Sequence, residues 1–119
     1  MYVVDIEKIE GYKGPYEALE HRQVASGFAQ FEIVYGKVGK GGVSSMHTHP
    51  DSEKFQFVLE GELEVKNNQG EIFRVPAGSG ILIQTGEEHE GLNVYDGTTR
   101  FLVVYAPPRS DADKTKKRH

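Results

Sequence analysis

The sequence predicts an all-β domain, a sandwich or barrel of short strands, on three observations. Turn signals recur at roughly eight to twelve residue intervals, the spacing of strands in such folds. Fourteen glycines, six Phe and six Tyr, with many Val and Ile, favour strands joined by turns. Long alanine or leucine stretches are absent, so extended helices are not expected. At 119 residues the chain fits one domain with its own core and leaves no room for a second.

The elements follow in order. VVDI (Val3 to Ile6) reads as a short first strand, and EGYKGP interrupts regular structure with its glycines and proline. YEALEHRQVASG is ambiguous between a helical turn and an irregular strand. FAQFEIVYGKV (Phe28 to Val38) is a clearer strand, with Phe31, Ile33 and Tyr35 on one face, and GKGG ends it with a tight reversal. FQFVLEGELEVKN is two strands broken at Glu60-Gly61, followed by the NNQG turn and the strand EIFRV. Pro76-Ala77-Gly78 turns the chain into GILIQ, and Thr85-Gly86 turns it again before EEHEG. LNVY, a turn at Asp96-Gly97 and RFLVVYA complete the set. Pro107 and Pro108 close a domain of residues 1–108, leaving 109–119 as a polar tail expected to be disordered.

Composition narrows the function classes. Net charge is −4, from 18 acidic and 14 basic residues, and five of the cations are Arg109, Lys114, Lys116, Lys117 and Arg118. Without them the body is more acidic still, which argues against a nucleic-acid-binding surface. There are no cysteines, so neither disulfides nor thiolate zinc sites are available, and a metal would need His, Asp, Glu or amide ligands. No apolar run reaches the roughly 18 to 20 residues that span a membrane, and MYVVDIEKIEGYKG lacks the pattern of a secretory signal. The expected location is cytoplasmic, with no membrane partner.

Residues 47–55, HTHPDSEKF, carry the chemistry. Side chains alternate faces along an extended chain, so His47 and His49 point the same way and can grip one object. Five residues separate Gly41 from His47, and the strand after the pair ends at Gly61. From Gly78, five residues lead to Gln84, then come Gly86, His89 and Asn93. These blocks resemble the two motifs of the cupin superfamily, G-x5-H-x-H-x3or4-E-x6-G and G-x5-P-x-G-x2-H-x3-N. The resemblance covers about residues 30 to 106. Gln84 stands where the second motif has proline, a change that moves no ligand.

The resemblance implies a double-stranded β-helix, a small jelly-roll barrel that is usually dimeric. In it His47, His49 and His89 meet inside one end and bind a divalent Fe, Mn, Ni, Zn or Cu ion. Ligand chemistry agrees independently: neutral imidazole suits these metals, and three imidazoles leave positions open for water or substrate. His21, which has no such context, is read as structural, Asn93 as the holder of a backbone turn, and His119 as a tail residue.

The motif disagrees with itself over a fourth ligand. Counted from His49, Glu53 follows after three residues, an allowed spacing; counted back from Gly61, the ligand position holds Lys54. Lys54, Gln56 and Val58 share one face of the strand, and Glu53, Phe55, Phe57 and Leu59 share the other. In the regular register Lys54 and Gln56 face the cavity, and Gln56 is a neutral candidate contact. A loop or bulge before regular pairing would instead bring Glu53 inward. Glu53 is the expected ligand, because an ammonium beside a dication is unfavourable.

Two classes of function follow. One is a metal-dependent enzyme on a small molecule, of oxygenase, isomerase, lyase or hydrolase type, with Tyr35, Gln56 and Phe101 as cavity residues that orient substrate. The other is a non-catalytic module that binds or senses a small ligand. The apolar Phe55, Phe57, Leu59 face and the RFLVVY strand need a cover, and a homodimer would supply one.

Overall fold

A computed structural model describes residues 1–14, 16 and 18–110. Among these residues, ten strands form two antiparallel sheets: β1 (Tyr12–Lys13), β2 (Leu19–Ala25), β3 (Glu32–Val38), β4 (Val43–His47), β5 (Glu53–Glu60), β6 (Glu62–Asn67), β7 (Ile72–Pro76), β8 (Gly80–Ile83), β9 (His89–Asn93) and β10 (Thr99–Ala106). The larger sheet runs β1-β2-β3-β10-β5-β8 and the smaller β4-β9-β6-β7. The last strand thus inserts between β3 and β5, a jelly-roll order. No described helix is long and apolar enough to cross a membrane.

Alternation within the strands builds the core. On β10, Phe101, Val103 and Tyr105 point inward, while β5 contributes Val58 and β3 contributes Val34 and Val38. Leu63, Val65 and Val75 of the smaller sheet face them. Val58 is completely buried, worth roughly 1.5–3 kcal/mol for a side chain of that class. Gly36 is required opposite Phe101, because a Cβ there would drive into the aromatic ring. At the β5–β6 break, Gly61 adopts φ +90°, and a Cβ there would run into Thr99, so the expected turn at Glu60-Gly61 admits only glycine comfortably.

The first expected strand is not formed. Asp5 instead caps a 3-10 turn, Ile6–Lys8, its carboxylate accepting the Glu7 N–H at 3.1 Å. That local bond competes with extended pairing, and Val3 remains exposed with no sheet beside it. Regular pairing starts within the stretch read as interrupted, at Tyr12–Lys13. The ambiguous segment becomes β2, whose Leu19 and Gln23 are buried. β3 begins at Glu32, after Phe28 and Phe31 have stacked on each other. β9 starts at His89, earlier than the LNVY reading. Of the expected tail, residues 111–119 lie outside the described part of the chain, His119 among them.

Candidate functional site

Strand pairing assembles the histidines. β4 ends on His47 and β9 opens on His89, and the two are direct cross-strand partners, so both rings project from one face. His49 follows in the loop, whose carbonyl accepts the Gly86 N–H at 3.1 Å, tying it to the turn ahead of β9. Ring centroids are 4.2 Å apart for His47 and His89, 5.1 Å for His47 and His49, and 5.5 Å for His49 and His89. One ligand nitrogen from each of the three lies within 4.8 Å of the others.

Backbone contacts set the tautomers. His47 Nδ1 lies 2.8 Å from the Ser45 carbonyl and His89 Nδ1 lies 3.0 Å from the Glu87 carbonyl. A carbonyl only accepts, so each Nδ1 donates and each Nε2 keeps its lone pair. His49 Nε2 is buried without a hydrogen-bond partner among the described residues. Burial first, and then the Lys54 charge, push His49 down to about 3. The same two causes push His89 down to about 4 against the opposing Glu87 contact. Burial also lowers His47, opposed by the Ser45 contact. The three rings are therefore neutral at ordinary pH, the form that binds metals, and the orphaned nitrogen fits a metal ligand.

The fourth position departs from the expected set. β5 is regular from its first residue, each β5 residue from Glu53 to Phe57 pairing in turn with β10 from Ala106 back to Leu102. No bulge intervenes there, so alternation sends Glu53 to the exposed outer face and Lys54 inward. The structure therefore does not bring Glu53 to the histidines, because pairing geometry, not charge preference, sets its direction. Lys54 is 8% exposed, and its Nζ donates to His89 Nε2 at 3.3 Å. Burial, with the Arg109 charge second, pushes its ammonium down to about 7.

The triad borders a cavity of about 400 Å³ between the sheets. Gln56 and Phe101 are among its lining residues. Tyr35 does not: it lies on the opposite face of β3, where its hydroxyl accepts from Arg100 Nε at 2.7 Å and guanidiniums of Arg22 and Arg100 each sit 5.7 Å from its ring. Its burial comes from those side chains. Tyr105, two and four residues beyond Val103 and Phe101, joins the wall, as the same period-two rule would have indicated. Asn93 holds backbone, its amide donating to the Val38, Gly39 and Gly97 carbonyls. His21 stacks on Tyr12 at 5.5 Å, apart from the triad.

Arg109, counted with the tail cations in the sequence, has a role in the site that nothing in its local sequence signals. Its guanidinium stacks 4.2 Å from the Tyr105 ring centre and makes two side-chain hydrogen bonds to Glu32, at 3.0 and 2.8 Å. Glu32 is fully buried and also accepts from Gln23 at 2.7 Å. Burial would raise its carboxyl, but the Arg109 bonds and charge prevail and hold it below the usual range.

Comparison with known proteins places this geometry. Residues 34–105 match the family described as Cupin domain. The polyketide synthase CurC of Streptomyces cyaneus is 40% identical over 63 residues, which are 53% of this chain and 40% of that protein, so the chain spans well under half of that relative. Among solved structures, the polyketide cyclase RemF from Streptomyces resistomycificus is 26% identical with a TM-score of 0.80, over 92% of this chain and 82% of that one. KdgF from Halomonas sp. shares the fold at a TM-score of 0.82 and 18% identity, over 93% and 97% of the two chains. With the family match spanning most of the chain, two antiparallel sheets in jelly-roll order and the three motif histidines side by side, the protein belongs to the cupin family.

Proposed function

We propose that the protein is a metal-dependent enzyme acting on a small, mostly apolar organic molecule, in a cyclisation or isomerisation of polyketide type. The observation that carries this reading is the convergence of three neutral imidazoles on one end of a cavity large enough for a small organic ligand. The likeness to a polyketide synthase component and to a polyketide cyclase supports the substrate class. The cavity walls suit it, since Leu63, Val65, Phe101 and Val103 offer apolar surface to a ring-forming carbon chain.

His47, His49 and His89 would hold the ion. Bound there, a divalent metal supplies Lewis acidity toward a carbonyl or enol oxygen. The chain's own residues do the rest. The Ser45 and Glu87 carbonyls orient His47 and His89, as outer partners do at metal sites. The apolar walls exclude water and fold the substrate back on itself, a positioning effect. Gln56, 8% exposed and facing inward, presents an amide that can donate to or accept from the substrate. Lys54 Nζ can hold or deliver a proton beside the reacting oxygen.

One observation favours a second reading, a non-catalytic ligand-binding module: Lys54 already donates to the lone pair of His89 that a metal would use. Metal analysis of untagged protein separates the two. One zinc, nickel or cobalt per chain, lost in His47→Ala, His49→Ala and His89→Ala but retained in His21→Ala, supports the first. Equal retention in all four variants sinks it. We further propose that a second copy of the chain covers the outer face of the larger sheet, where Phe55, Leu59 and Leu82 are exposed.

A further inference from the structure

We propose that Lys54 anchors an anionic oxygen of the ligand, so that the cavity selects an apolar molecule carrying one carboxylate, enolate or phenolate and holds that oxygen against the histidine cluster. The assignment rests on the small-molecule reading of the cavity and is independent of the metal.

The charges around the cavity lead to it. Arg109 is neutralised by Glu32, Glu90 lies 3.5 Å from Lys66, and Lys13 is exposed at the rim. Lys54 alone of the lining cations is buried with no carboxylate paired to it among the described residues. Its one hydrogen-bond partner among them is the neutral His89 ring. A buried amine carries more donor hydrogens than one imidazole can accept, so at least one is left for a ligand whichever protonation state it holds. In a low-dielectric enclosure an unanswered donor is costly, and an anionic acceptor is its strongest complement.

Position adds specificity. Strand register fixes Lys54 opposite Tyr105 on one side and Ile83 on the other, so the amine is presented from a rigid sheet and not from a loop. Its Nζ is 3.3 Å from His89 Nε2, so an oxygen bound to it also lies beside the imidazoles. The remaining walls are mainly aliphatic and aromatic, and among the described residues they offer no second buried cation that lacks a carboxylate partner, Arg109 being paired with Glu32. One anionic group on an apolar body therefore matches the site, and a dianion such as a phosphate monoester does not. A glutamate in this position would repel the same oxygen; the lysine reverses the selectivity.

The test compares 2-naphthoate with its uncharged amide, 2-naphthamide, by calorimetry on chelator-stripped and on zinc-loaded protein, in the parent and in Lys54→Met. In the stripped parent the acid should bind about tenfold or more tightly than the amide, the size of a hydrogen bond to a charged group. Lys54→Met should erase that preference while still binding the amide. Equal affinities in the stripped parent, or a preference that survives Lys54→Met, overturn the proposal. A preference seen only with zinc and unchanged in Lys54→Met identifies the metal as anchor, which also overturns it while leaving the metal reading intact. Failure of zinc to bind, with the Lys54-dependent preference kept, sinks the metal reading alone. Should the variant not fold, reductive methylation of the parent replaces it: 2-naphthoate should protect Lys54 from labelling and 2-naphthamide should not, and equal protection refutes the assignment.

Discussion

Replacing Lys54 by Glu should convert a three-histidine site into one with an acidic fourth ligand and raise metal affinity by about two orders of magnitude, or about 2.7 kcal/mol. The scale of the effect follows from the geometry. An ion sharing His89 Nε2 at about 2.1 Å lies no more than about 5.4 Å from the present Nζ, which is 3.3 Å from that nitrogen. At an effective dielectric of about 20, a dication and a full ammonium at that greatest separation repel by about 6 kcal/mol, and more if closer. The lysine escapes much of this by releasing its proton, and the new carboxylate loses hydration at a position only 8% exposed, so the net gain is only a fraction of that repulsion. Lys54→Met, which removes the repulsion and adds no ligand, should gain about tenfold. Glu53→Gln should change nothing, because that carboxylate faces outward. Cobalt titration against a chromophoric chelator at fixed pH measures all four proteins, and the cobalt absorption bands report coordination. A folded Lys54→Glu protein with parental affinity, or a Glu53→Gln protein as weak as a histidine deletion, would refute the reasoning.

The remaining expectations concern stability and assembly. Arg109→Met strands the fully buried Glu32 carboxylate and should cost about 3–5 kcal/mol in urea unfolding; a loss below 1 kcal/mol would show that the pair is dispensable. Glu32 is held below the usual carboxylate range, so its contribution is present above the unfolded-state value of about 4.3 and lost as pH falls through the folded value. In Arg109→Met burial, the larger effect, is opposed only by the Gln23 hydrogen bond and raises that carboxyl, so the variant should lose less stability than the parent between about pH 5 and 3; parallel acid profiles would count against the assignment. Light scattering should give twice the 13.3 kDa chain mass, falling to the single value in Leu82→Lys, whose parent side chain is 77% exposed on the outer face. A monomer in the parent at tens of micromolar would remove the dimer.

How much of this was legible in the sequence depended on whether a residue's neighbours along the chain determine its surroundings. The middle of the fold was legible because β5, β6 and β10 obey a period of two between unmistakable turns, and the glycines at the turns have one conformational reason each. The first residues were not, since Val3 and Ile6 look like a strand and only the Asp5 side chain, competing for the Glu7 N–H, says otherwise. Tyr35 was misplaced because a period of two separates the faces of a strand without saying which of them lines the cavity; its ring lies against Arg22 and Arg100 on the other side of the sheet. Arg109 was invisible, as its partner Glu32 lies 77 residues away and a charge after two prolines reads as solvated tail.

Glu53 and Lys54 are the instructive pair. Two arguments competed there: charge complementarity, which favoured a carboxylate beside a metal, and strand alternation, which put the lysine inside. Alternation prevailed, and the energies say why. Drawing Glu53 inward requires a bulge or a one-residue slip of β5 against β10, and a slip would turn Val58 outward while sending Phe55, Phe57 and Leu59 into a core already filled by Phe101 and Val103. That forfeits several buried side chains at roughly 1.5–3 kcal/mol each. Seating Lys54 costs less, because burial lowers its ammonium to about 7 and the amine donates to His89 whether or not it keeps its proton. The backbone register therefore outweighs the preference of any one ligand, and a functional group that contradicts its expected charge is the feature from which this site's own chemistry should be sought.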